Sequence, residues 1–381
     1  MAIDTTNLQA AIAAKIAGED SAATQSELLQ YLAAADRYGV AQYYTSSASL
    51  PTADSAMEGS LVLVYTSQAD SGNGLYLCTG TEWYEVQDLD SSSAPSYSFQ
   101  GSNYGYTSGG FTALFTIDKF PFASDANATD VGDLTVARHA AGQSSADNGY
   151  TSGGAPSHDV IDKFPFAADA NATDVGDLTV ARYYASGQSS ETNGYTSGGN
   201  GPPFLNTIDK FPFASDENAT DVGDITTTSY GLAGQSSADN GYTSGGFIPP
   251  YSNVIDKFPF ASDANATDVG DLTLARRHPA GQSSTVSGYS SGGLAATNVI
   301  DKFPFASDAN ATDVGDLTVA RYGPAGQSST VSGYSSGGDH PAAASPLGDN
   351  IIDKFPFASD ANATDVGDLT SVRIFAAGQQ Y

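Results

Sequence analysis

Leu8, Ile12 and Ile16 recur every four residues through an alanine-rich stretch, the spacing of one face of a helix. Gly18 breaks that stripe, and Asp20 or Ser21 can cap a second helix reaching to about Arg37, with Leu28, Leu29 and Leu32 on one side. The period then changes. Residues 60–65 (SLVLVY), 75–78 (LYLC) and 83–86 (WYEV) read as strands separated by glycine-containing turns. They predict a small antiparallel β module with Trp83 as its core aromatic and Cys78 as a buried, inert thiol. A polar linker follows, DLDSSSAP at 88–95.

Beyond the linker one pattern is written six times. GYTSGG or a variant begins at Gly105, Gly149, Gly194, Gly241, Gly288 and Gly333, and IDKFPF at Ile117, Ile161, Ile208, Ile255, Ile300 and Ile352. Each copy then runs through NATDVGD towards AGQSS. In the copy from Gly241, GYTSGG and NVIDKFPF read as strands, the latter with Asp256, Phe258 and Phe260 on one face and Ile255 and Lys257 on the other. TDVGDLT and the run into AGQSS supply two more. Four short strands in about 47 residues make a propeller blade, and the lack of helical spacing excludes a helical solenoid. The phase predicts closure. The first copy starts on its double-glycine strand, and the last ends in a leftover inner strand at 373–381 that can complete the first blade. Residues 97–101 compete for the same place.

The unit resembles a kelch repeat. The double glycine matches Gly245-Gly246, the strand aromatic Phe258 or Phe260, and the arginine column Arg138, Arg182, Arg276, Arg321 and Arg373. The third copy has Ser229 in that column, and alanines (Ala128, Ala172, Ala219, Ala266, Ala311, Ala363) stand where the family has tryptophan. The two phenylalanines are expected to fill that volume. The fold expected is mainly β: a helical hairpin for attachment or oligomerisation at 1–42, a small antiparallel β module at 43–90, a linker at 91–96, and a six-bladed kelch-like β-propeller at 97–381.

The front segments SLPTADSAMEGSLVLVY and GLYLCTGTEWYEV, followed by a repeat array, resemble modules of bacteriophage structural proteins, including those of marine phages. The resemblance implies a virion protein, a tail fibre or other appendage. Its N-terminal region would hold other virion proteins and form a homo-oligomer. Its propeller would bind a host surface protein or saccharide and catalyse nothing. One alternative is a purely structural capsid, neck or tail decoration. A second, of another class, is a glycan-active propeller enzyme.

Charge narrows the partners. With 43 acidic and 14 basic residues the formal charge is −29, which repels nucleic acid. One cysteine allows no internal disulfide, and no stretch approaches a membrane span. The connections that vary between copies lie after the double glycine and before AGQSS, and a kelch-type blade brings both to one face. The aromatic-rich residues there are the expected recognition set: Phe115, Tyr183, Tyr184, Phe204, Tyr230, Phe247, Tyr251, His278 and Tyr322. Against drift in exposed loops stands the recurrence of aromatics at one place. Asp125, Asn127, Asp130 and Asp133 cluster oxygens in a spacing loosely like a calcium loop; capped turns are the plainer reading, and no other cofactor is expected. Carboxylates copied into every unit read as scaffold.

Overall fold

The computed structural model describes residues 42–44, 61–64, 74–78, 83–88 and 100–381, except 112–113, 295–296 and 341–347. The predicted helical hairpin lies outside these residues, as do the side chains of Cys78 and Trp83. The chain divides into two units, Met1–Ser96 and Tyr97–Tyr381. In the first, β1 (Gln42–Tyr44), β2 (Leu61–Val64), β3 (Gly74–Cys78) and β4 (Trp83–Asp88) form one sheet in chain order. The β2–β3 and β3–β4 pairs are antiparallel. β1 pairs parallel to β2, so the module is mixed. A parallel neighbour needs a connection of a dozen or more residues, and in the sequence β1 and β2 stand sixteen residues apart.

The second unit is a six-bladed propeller of four-stranded antiparallel sheets. Five blades take their strands in chain order. The blade from β16 (Ala233–Ser236) through β17 (Asn240–Ser244) and β18 (Val254–Pro259) to β19 (Thr267–Asp271) represents them. The remaining blade joins the two ends of the ring. Its inner strand β28 (Ala377–Gln380) pairs with β5 (Tyr104–Ser108), Gln379 opposite Tyr106. The closing strand is shorter than 373–381, because Arg373 ends the outer strand β27 (Thr364–Arg373) and Phe375 turns into a left-handed conformation. Residues 100–101 take no inner place. The Gln100 side chain donates to the Ser283 carbonyl at 3.0 Å and Gly101 N–H to the Ser328 carbonyl at 2.8 Å, so this segment crosses one end of the axis.

Both faces of a blade pack on neighbours, which alters the simple alternation read from β18. Ile255, Asp256 and Phe258 are all buried, with a register shift between Ile255 and Asp256. Ile255 packs with Phe303 of the following blade, and Phe258 with Tyr195 and Ile208 of the preceding one. Ala266, in the tryptophan position, lies beside Phe258, with Phe260 packed on the same cluster. Tyr195 stacks on Phe260 at 4.8 Å between ring centroids, and the equivalent pair occurs at every joint.

The polar repeat residues tie the joints. Gln143 Nε2 donates to the Tyr195 carbonyl of the next blade at 2.9 Å, and the same bond runs round the whole ring. Each IDKFPF lysine pairs with an aspartate of the next blade, as Lys163 does with Asp216 at 2.5 Å. Each arginine of the column is buried against the aspartate of the next IDKFPF strand, as Arg182 is against Asp209 at 2.8 Å. Buried ion pairs add specificity more dependably than stability, but losing one partner is costly.

Candidate functional site

Four of the varied connections leave the arginine column and meet the loop that follows the double glycine. Short backbone bridges join them: Tyr183 to Asn200, Tyr230 to Phe247, Arg277 to Leu294 and Tyr322 to Asp339. The double glycine makes the meeting possible. Gly198 has φ +62°, and a Cβ there would sit 2.7 Å from the Ser229 carbonyl oxygen. The two variable stretches therefore form one face.

At the centre of that face the residues nearest the axis are His139, Tyr184, Gly231, His278, Gly323 and Phe375. Tyr184, His278 and Phe375 are left-handed (φ +57°, +55° and +58°), as are the two glycines. A chain of backbone bonds links them round the axis: Gly231 N–H to the Tyr184 carbonyl, His278 to Gly231, Gly323 to His278, and Phe375 to Gly323, at 2.6–2.8 Å. The large side chains lean over the small ones. A Cβ on Gly231 would lie 2.7 Å from the His278 ring, and one on Gly323 2.6 Å from the Phe375 ring. Tyr184, His278 and Phe375 meet with centroids 4.6–4.8 Å apart, and His139 joins them 4.8 Å from Tyr184. They plug the axis, beside a cavity of about 80 Å³ that Leu232, Pro279 and Pro324 also line.

Burial sets the charge state of this plug. It pushes the His139 imidazole down to about 4, with Nδ1 buried and unbonded. It pushes His278 down to about 3, helped by the charges of Arg277 and His139. Both imidazoles are neutral at physiological pH.

Outside the plug runs an aromatic arc. Tyr184 stacks on Tyr230 at 5.9 Å; Tyr230 meets Phe204 at 4.8 Å and Phe247 at 5.3 Å; Phe247 meets Tyr251 at 5.7 Å. Tyr183 joins through Tyr184, and Tyr322 through Phe375. Eight of the nine expected recognition residues are thus brought together. Phe115 is exposed and makes none of these ring contacts, whereas Phe111, unmarked by the sequence reading, reaches His139 at 5.9 Å.

Polar groups punctuate the arc. Asn200 Nδ2 donates to the Tyr183 hydroxyl at 2.8 Å. Tyr322 donates to Asp339 Oδ2 at 2.7 Å, and burial, then Asp339, raise its phenol to about 12. Arg277, Asn200 and Asp339 were not marked in the sequence. Arg277 could have been found as the one arginine of the repeats outside the fixed column.

The calcium-like groups go elsewhere. Asp125 pairs with Lys354, Asn127 Oδ1 accepts from Asp368 N–H, Asp130 Oδ1 from Gly132 N–H, and Asp133 N–H donates to Asn171. These are contacts between and within blades, and no group of metal-ligating side chains gathers among the described residues.

No family model and no curated protein matches this chain. Among solved structures, the chain is similar to the one titled "Structure of YjhT", with TM-score 0.54 and 12% identity, over 63% of this chain and 86% of that one. This likeness is one of fold. The likeness to YjhT overturns the expectation of a bacteriophage virion protein, tail fibre or structural decoration: the propeller on which it leaned is shared outside that setting, with 408 chains of solved structures matching. The expectation that the ring catalyses nothing is withdrawn with it.

Proposed function

We propose that the propeller is a glycan-active protein that takes a saccharide on its varied face. The observation that carries this reading is the aromatic arc: half-buried rings from neighbouring blades, joined centroid to centroid round a plugged axis. Flat, partly exposed aromatics bury the apolar face of a sugar ring at little conformational cost, while their hydroxyls and neighbouring amides meet its hydroxyl groups. Asn200 and Asp339 supply such polar groups at the rim.

The chemistry available beside the arc is proton transfer. The Asp339 carboxylate can accept a proton, and the Tyr322 phenol, raised to about 12, stays protonated as a donor. These are the residues we assign to any step on a bound sugar. A saccharide array probed with the whole chain, followed by proton NMR of each retained saccharide, tests the reading. Retention by the parent, lost in the Tyr230→Ala/Phe247→Ala/Tyr251→Ala variant, is expected. Conversion of a retained saccharide should stop in Asp339→Asn while binding persists. An array on which nothing is retained overturns the reading.

A further inference from the structure

We infer that the varied face selects saccharides carrying an oxyanion, a carboxylate or a sulfate ester, and that Arg277 is the group that binds it; this rests on the glycan reading above. Two of the 14 basic residues, Lys15 and Arg37, precede the propeller. In the ring, every lysine is paired with an aspartate of the next blade. Every column arginine is paired likewise. Arg277 alone among the described basic residues has no carboxylate, in a chain of formal charge −29. With acidic groups this abundant, an unpaired guanidinium is a departure from the rule that builds every joint.

Its position is held by aromatic rings. The guanidinium carbon lies 5.1 Å from the Phe247 centroid, 5.6 Å from Tyr251 and 5.8 Å from Tyr230. Nη1 donates to the Tyr230 hydroxyl at 2.8 Å, and Nε is buried without a partner. Nη2 is neither buried nor bonded within the fold. The side chain is thus fixed on one edge and open on the other, as a preorganised donor to an oxyanion is. The rings that hold it are the ones proposed to carry the sugar. An anionic substituent on a ring stacked there comes to Arg277 without the protein rearranging. Asp339, a carboxylate of the same face, is engaged by Tyr322. No carboxylate lies within ion-pair distance of Arg277 among the described residues, and salt screens more distant charge over about 10 Å at 0.1 M.

The test is an array of matched pairs, uronic-acid oligosaccharides beside their methyl esters and sulfated oligosaccharides beside their desulfated forms, probed with the whole chain. The charged member should bind about tenfold or more tightly than its neutral twin. Arg277→Gln should abolish that preference while retaining its unfolding midpoint, and Arg277→Lys should keep part of it. Preference within only one kind of pair identifies carboxylate or sulfate as the group read. Charged and neutral twins bound alike by the parent overturn this inference and leave the glycan reading standing. An array with no saccharide retained overturns both. The comparison of twins uses the parent protein, so it decides the question even if the glutamine variant fails to fold.

Discussion

Asp209 and Asp256 occupy the same place in successive blades and meet different surroundings. Asp209 holds the buried Arg182 guanidinium, whereas the copy preceding Asp256 has Ser229 in the arginine column and Asp256 is bonded only by the Thr226 amide and hydroxyl. Asp209→Asn should cost about 3–5 kcal/mol in denaturant unfolding, because it strands an arginine in the dry interior. Asp256→Asn should cost less than about 1 kcal/mol at pH 7. Burial raises the Asp256 carboxyl, so its contribution is most favourable below the unfolded value near 3.8 and is lost as pH rises through the folded one. The plug histidines run the opposite way. Their folded values, about 4 and about 3, lie below the unfolded 6.5, so stability is full above pH 6.5 and falls as pH drops towards 4. His139→Phe/His278→Phe should show a smaller loss than the parent over that window in thermal melts at stepped pH. At this scale the sequence was least legible. The letters set Arg276 in the fixed column, where it pairs with Asp301, but they do not show that Arg277 beside it rests on rings brought in by other connections.

Blades were legible because each strand's role is copied six times, and the copies agree about which positions pack. The exceptions required coordinates. In four joints the side chain of the column arginine lies near the second glycine, as Arg138 does at Gly154, whereas Gly199 meets Ala185 instead. At Gly246 the Ser229 hydroxyl is joined by Leu232, whose Cδ2 would lie 2.7 Å from an added Cβ. Leu232, three positions along the chain from Ser229, therefore fills volume that an arginine stem takes at other joints. Ser229→Arg alone should destabilise through overpacking by about 1–3 kcal/mol. Ser229→Arg/Leu232→Ala should recover much of that loss by pairing with Asp256, as unfolding midpoints would report. The connector before β28 hid its turn in the same way. Ile374 and Phe375 read as strand, yet Phe375 is left-handed because the plug needs a side chain over Gly323.

The whole ring depends on one short strand. β28 pairs with β5 and carries Gln379, whose amide reaches the Tyr150 carbonyl of the adjacent blade at 2.9 Å. Deleting residues 377–381 should expose the inner edge of β5, broaden the calorimetric transition and produce larger species in size-exclusion chromatography. Closure was readable from the phase of the repeats, whereas the function was not, because the face that varies is described by no repeat. Ring geometry gathers Tyr184, Tyr230, Phe247 and Tyr251 from separate connections into one surface. The most direct test of the account is a crystal structure of the chain with a saccharide it retains. The account predicts the sugar ring stacked on Tyr230, Phe247 or Tyr251 at the varied face. A saccharide seated on the acidic outer strands or at the opposite end of the axis would contradict it.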